Sequence, residues 1–194
     1  TYRLFNYSGA KTTSFGAVVV ADARYTATLD ESVSGQVNVT LSGTSSGLTW
    51  SGGGANSWDV NTSTNWNNNT EKFFNSDAAS FNNGSASNTV NLVGSLYPST
   101  VSVNSDSNYI FGGAGKLSGA TGLNKSGSGS LTISNANDFT GVVNVTGGTL
   151  VAANATLLGA TNGGTFISGG GTLDVFNKNL GLEPITIAGA GVGG

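Results

Sequence analysis

The chain has 194 residues, 9% of them charged and 37% hydrophobic, with 31 Gly, 2 Pro and no Cys, Met or His. Without imidazole or thiol it has no imidazole base, no His or Cys metal site, no cysteine nucleophile and no disulfide. Charged residues make up about a quarter of an average soluble domain, so their shortage argues against a helical or α/β enzyme. The net charge is −3, and the basic residues Arg3, Lys11, Arg24, Lys72, Lys116, Lys125 and Lys178 are scattered, leaving no basic stripe for nucleic acid or an anionic membrane.

In chain order, the first aliphatic run is Ala17-Val18-Val19-Val20-Ala21, far short of the roughly 20 apolar residues of a membrane helix. No window holds the i, i+3, i+4, i+7 apolar spacing of an amphipathic helix free of Gly or Ser/Asn clusters. Short alternating runs predict strands at 18–20, 36–41, 89–92, 100–103, 130–133, 143–145, 148–151, 164–167, 172–175 and 185–187. Each alternates an aliphatic residue with Thr, Ser or Asn, so one face goes to a core and the other to water. The fold class is all-β.

Segments 129–133, 148–151 and 171–174 share a Gly-Thr/Ser-Leu start, and their interval of about 20 residues fits one coil of a solenoid. The Gly-rich pieces at 147–148, 163–164 and 169–171 are expected corners, because Gly and Asn tolerate positive φ. At that period the whole chain would make on the order of nine coils and a rod roughly 40 Å long. A β-sandwich, which also has short strands and frequent turns, is the competing architecture. The two are most evenly matched over residues 1–47, which are read as more coil or as a short β-sandwich-like or irregular part.

The stretch Gly122-Leu123-Asn124-Lys125-Ser126-Gly127-Ser128-Gly129-Ser130-Leu131-Thr132-Ile133-Ser134, then Asn137-Asp138-Phe139-Thr140-Gly141, then Val143-Asn144-Val145-Thr146-Gly147-Gly148-Thr149-Leu150-Val151, closely resembles the autotransporter-associated β-strand repeat, also called the passenger-associated transport repeat, of large bacterial surface proteins. Phe139 stands where that family has Tyr, and Val142-Val143 where it has Gly-Thr or Thr-Thr. The resemblance implies a right-handed parallel β-helix (β-solenoid) passenger or stalk exported to the cell surface, and it brings no catalytic residues. On this reading residues 1–47 are the closing strands of a preceding repeat block. Residues 48–119 are a Trp- and Asn-rich β segment continuing into the solenoid, and 120–194 are autotransporter-type β-helix repeats. With Thr at position 1 and no Met, the chain reads as a processed product or a window cut from a longer array.

Trp50, Trp58 and Trp66 are spaced by eight among Ser, Asn and Gly. They offer faces for sugar stacking, the alternative being that they fill a widened coil. Exposed coplanar indoles would favour the first, buried ones the second. Asn68-Asn69-Thr70 matches a glycosylation acceptor, as do Asn6, Asn38, Asn61 and Asn83. Chance produces such matches in a chain of this composition, and Asn at stacked corners is expected to form hydrogen-bond ladders instead. The carboxylates Asp22, Asp30, Glu31, Asp59, Glu71, Asp77, Asp106, Asp138, Asp174 and Glu183 are spread singly. Asp59 with Asp77 is the pair to inspect for polysaccharide cleavage. Gly112-Gly113-Ala114-Gly115-Lys116-Leu117 lacks the spacing and the following helix of a phosphate loop.

The expected function is a non-catalytic structural segment of a bacterial cell-surface or extracellular fibre, stalk or adhesin, with no cofactor and no metal. The alternative is a carbohydrate-binding module using Trp50, Trp58 and Trp66. Neither 33–40 nor 185–194 has the polarity of a cap, so open ends are expected to pair. The partners are then neighbouring repeats of the same chain or head-to-tail copies in a filament, with surface polysaccharide on the second reading. No nucleic-acid partner and no membrane span are expected in this segment.

Overall fold

A computed structural model describes residues 1–20 and 24–189. Ala21 of the aliphatic run, Asp22, and the last five residues of the 185–194 segment lie outside the described residues. The chain divides into two compact units, Thr1–Ser45 and Ser46–Gly194.

In the first unit β1 (Tyr2–Asn6), β2 (Tyr25–Asp30) and β3 (Gln36–Gly43) form a sheet in the order β1-β3-β2, with both pairings antiparallel. Val37 and Val39 are buried from β3, whereas β1 is exposed along its length. Lys11 pairs with Glu31, and the Glu31 carboxylate also accepts the Phe15 N–H at 3.1 Å. The Lys11 contact is the first cause that holds the Glu31 carboxyl below its ordinary range.

The second unit is a stack of parallel strands: β4 (Gly47–Thr49), β5 (Ser57–Trp58), β6 (Ala78–Phe81), β7 (Thr89–Leu92), β8 (Ser95–Leu96), β9 (Thr100–Asn104), β10 (Tyr109–Gly112), β11 (Lys116–Leu117), β12 (Leu123–Ser126), β13 (Ser130–Ile133), β14 (Val143–Val145), β15 (Gly148–Ala152), β16 (Thr165–Ile167), β17 (Gly171–Asp174) and β18 (Ile185–Ile187). One sheet runs β4-β6-β9-β12-β14-β16-β18, a second β5-β7-β10-β13-β15-β17, and β8 pairs with β11 on a third side. The pairings in these sheets are parallel, which a sandwich of hairpins cannot supply. The fold is therefore an all-β parallel solenoid, with no helix among the described residues.

Past the first coil, hydrogen bonds between successive coils join residues 18 to 24 apart. The first coil is longer, since Ser46 donates its N–H to Asp77 Oδ1, 31 residues on, at 2.8 Å. The roughly nine coils expected at about 20 residues each are therefore fewer. Residues 1–45 form a separate antiparallel unit, the first coil takes a detour, and the longer sheet has seven strands among the described residues.

Period-two alternation turns into columns once coils stack in register. Leu48, Ala79, Val101, Leu123, Val143 and Thr165 form one inward column, and Phe81, Val103, Lys125, Val145 and Ile167 the next. The facing sheet supplies Val90, Phe111, Ile133 and Ala152 and Tyr109, Leu131 and Leu150. All of these are buried, and each large aliphatic adds roughly 1.5–3 kcal/mol of transfer free energy. Ser80, Ser102, Asn124 and Asn144 form the outward column between them, and Asn144 Nδ2 donates to Asn124 Oδ1 at 3.0 Å.

Corners are held by asparagine, as the sequence predicts. Asn135 Nδ2 donates to the carbonyls of Gly112, Gly113 and Gly115 at 3.1, 3.1 and 2.8 Å. Asn137 accepts the Leu117 N–H at 2.9 Å and donates to Leu157 O at 2.8 Å, so it links three coils.

Candidate functional site

The detour of the first coil carries all three tryptophans, and it places them inside. Trp50, Trp58 and Trp66 are 1%, 0% and 0% exposed. Trp66 lies between the other two, with ring centroids 5.1 Å from Trp50 and 5.3 Å from Trp58, both T-shaped. Phe73, Phe81 and Phe111 close around them. Trp50 Nε1 donates to Ser87 O at 2.8 Å, while Trp58 and Trp66 leave buried Nε1–H groups without an acceptor, a cost of about 1–3 kcal/mol each set against the aromatic packing. The sugar-stacking reading of Trp50, Trp58 and Trp66 is corrected here: a pyranose needs an open indole face, and these faces are covered by other rings.

The Asn-rich segment has a backbone reason for its composition. Asn67, Asn68 and Asn69 have φ of 47°, 61° and 60°, three consecutive residues in the left-handed region that costs most side chains about 1–2 kcal/mol each and Asn less. This turn folds residues 65–70 over the first strands. Asn67 donates its N–H to Thr49 O at 2.8 Å and accepts the Thr49 N–H on Oδ1 at 2.9 Å. Asn65 O accepts the Ser51 N–H at 2.9 Å, and Asn65 Nδ2 donates to Ser57 O at 2.8 Å. Of the other acceptor-like asparagines, Asn38 is buried in β3, and Asn83 Oδ1 accepts from Ser105 Oγ and the Asp106 N–H, both at 2.8 Å.

Ile185 and Ile187 pair with the buried Thr165 and Ile167 and so point inward, and among the described residues they are 39% and 70% exposed. With Ile167, Leu173 and Val175 they line an apolar groove of about 300 Å³.

Lys125 is the residue that sequence reading missed. It occupies the inward column between Val103 and Val145 and is 1% exposed. Its Nζ donates to the carbonyls of Ser126, Gly127 and Gly147 at 2.7, 3.1 and 3.2 Å, tying two coils together at one corner. Burial pushes its ammonium below the ordinary lysine value, and Asp106 opposes that shift. Asp106 accepts the N–H and hydroxyl of Ser128 at 3.0 and 2.8 Å, and the N–H bond is the first cause that holds its carboxyl low. Burial likewise pushes the Tyr109 phenol up; its hydroxyl donates to Asn82 O at 2.6 Å.

The carboxylates hold backbone and side-chain groups of their own loop or of a neighbouring coil. Asp59 accepts the N–H and hydroxyl of Ser63 at 2.8 and 2.7 Å. Buried Asp77 accepts the N–H groups of Ser46 and Phe74 at 2.8 and 2.9 Å. Asp138 is held below its usual range first by Lys116 and then by Ser118. Among the described residues no three Asp or Glu side chains are grouped to hold a metal ion.

Residues 123–152 match the family model of the passenger-associated-transport-repeat. The match begins with β12 and ends with β15, so it spans a strand of each sheet in two successive coils. It contains the whole Lys125 corner, from Lys125 to Gly147. The chain matches no curated protein and no solved structure.

Proposed function

We propose, from the passenger-associated-transport-repeat at residues 123–152, that this chain is a passenger segment of a bacterial surface or secreted protein. In this reading it acts as a stiff repetitive scaffold of a stalk, fibre or adhesin, without catalysis of its own. The observation that carries the reading is the repeat lying within an unbroken parallel stack: β12 to β15 pair with coils on both sides. Backbone ladders running along an axis resist bending, and a Ser, Thr and Asn outer face stays hydrated with few charges. Further coils of the same kind are the natural neighbours of such a segment.

The test is an antibody raised against residues 123–152, applied to intact cells that produce the protein, with and without added protease. Labelling of intact cells or of their medium, lost after protease, is the expected result. Antigen that appears only after lysis, protected from protease, overturns the reading.

A further inference from the structure

Each terminal strand of a parallel stack carries a row of N–H and C=O groups with no further coil to pair with, a template for another chain. At β4 and β5 part of that row is occupied. Trp50 N–H and Ser46 O are bonded to β6, at 2.8 and 2.9 Å, which turns the N–H and C=O of Thr49 outward, and Asn67 takes both. Asn56 O and Trp58 O accept from β7 at 2.8 and 3.0 Å, which turns Ser57 O outward, and Asn65 Nδ2 takes it. Trp66, between these two asparagines, plugs the core beneath.

We infer that residues 65–70 are an end cap that denies the first coil to β18 of a second copy. Copies of this chain therefore do not stack head to tail on the first coil. On this inference the first coil carries its own cap, and head-to-tail copies are not among the partners. The inference rests on the first coil and is independent of where the protein resides.

A head-to-tail stack would continue the outward column Thr49, Ser80, Ser102, Asn124, Asn144, Phe166 and Thr186. Thr186 of one copy would then lie about 4.8 Å from Thr49 of the next, within disulfide reach. The chain has no cysteine, so Thr49→Cys in one copy and Thr186→Cys in another trap that contact alone when mixed and oxidised with diamide. In the parent background no disulfide-linked heterodimer is expected. It is expected to appear when residues 67–69 are deleted, or in Asn65→Ala/Asn67→Pro, where proline removes both the backbone N–H and the side-chain oxygen that Asn67 gives Thr49. Far-UV circular dichroism identifies which variants keep the β fold. A heterodimer in the parent, or none in every variant that keeps the fold, overturns the inference.

Discussion

Lys125 shows how a charge can stand in a column of valines. Its stem packs among Val103 and Val145 while the ammonium reaches three carbonyls that a glycine-rich corner leaves without enough donors. Lys125→Met keeps the stem and strands those carbonyls, so a loss of about 1–3 kcal/mol is expected, read as a lower urea midpoint. Lys116→Met on the outer face removes only an exposed pair with Asp138 and should leave the midpoint nearly unchanged. The role of Lys125 was not legible in the sequence because one of its acceptors, Gly147 O, lies 22 residues away and meets it only after the next coil has stacked. The burial of Trp50, Trp58 and Trp66 was hidden similarly. Spacing by eight reads equally as an exposed row or a folded-back plug, and the antiparallel bridges of Trp66 to Trp50 and Glu71 decide between them.

At the scale of strands and corners the sequence is far more informative. A residue pointing inward on one coil needs an apolar partner on the next, so alternation recurs at coil intervals and the strands at 89–92, 130–133 and 185–187 fall where the pattern puts them. The corners follow a different constraint, the closeness of neighbouring coils. A Cβ built on Gly141 would lie 2.2 Å from Thr121 O, whereas one on Gly47 would meet nothing within 4 Å. Gly141→Ala must push two coils apart, at an expected cost of about 1–3 kcal/mol, and Gly47→Ala should be neutral; parallel denaturation curves of the two check this. The pairing of residues 36–41 was not legible, since alternation alone does not distinguish an antiparallel neighbour from a stacked coil.

For the molecule as a stack, coils are interchangeable to the extent that their registers agree. Val101 pairs with Leu123, and Leu123 with Val143. Tyr109 pairs with Leu131, and Leu131 with Leu150. Deleting residues 123–142 therefore sets β14 on β9 and β15 on β10 in the same phase. A folded, one-coil-shorter protein with an unchanged β spectrum is expected, while deleting 123–132 breaks the phase and should abolish that spectrum. All three tryptophans of the chain lie between residues 50 and 66, packed in the plug of the first coil. Indole emission consequently comes from one end of the stack alone. Quenching and red shift under denaturant date the opening of that end, including the release of Ser87 and Phe111 from the indoles.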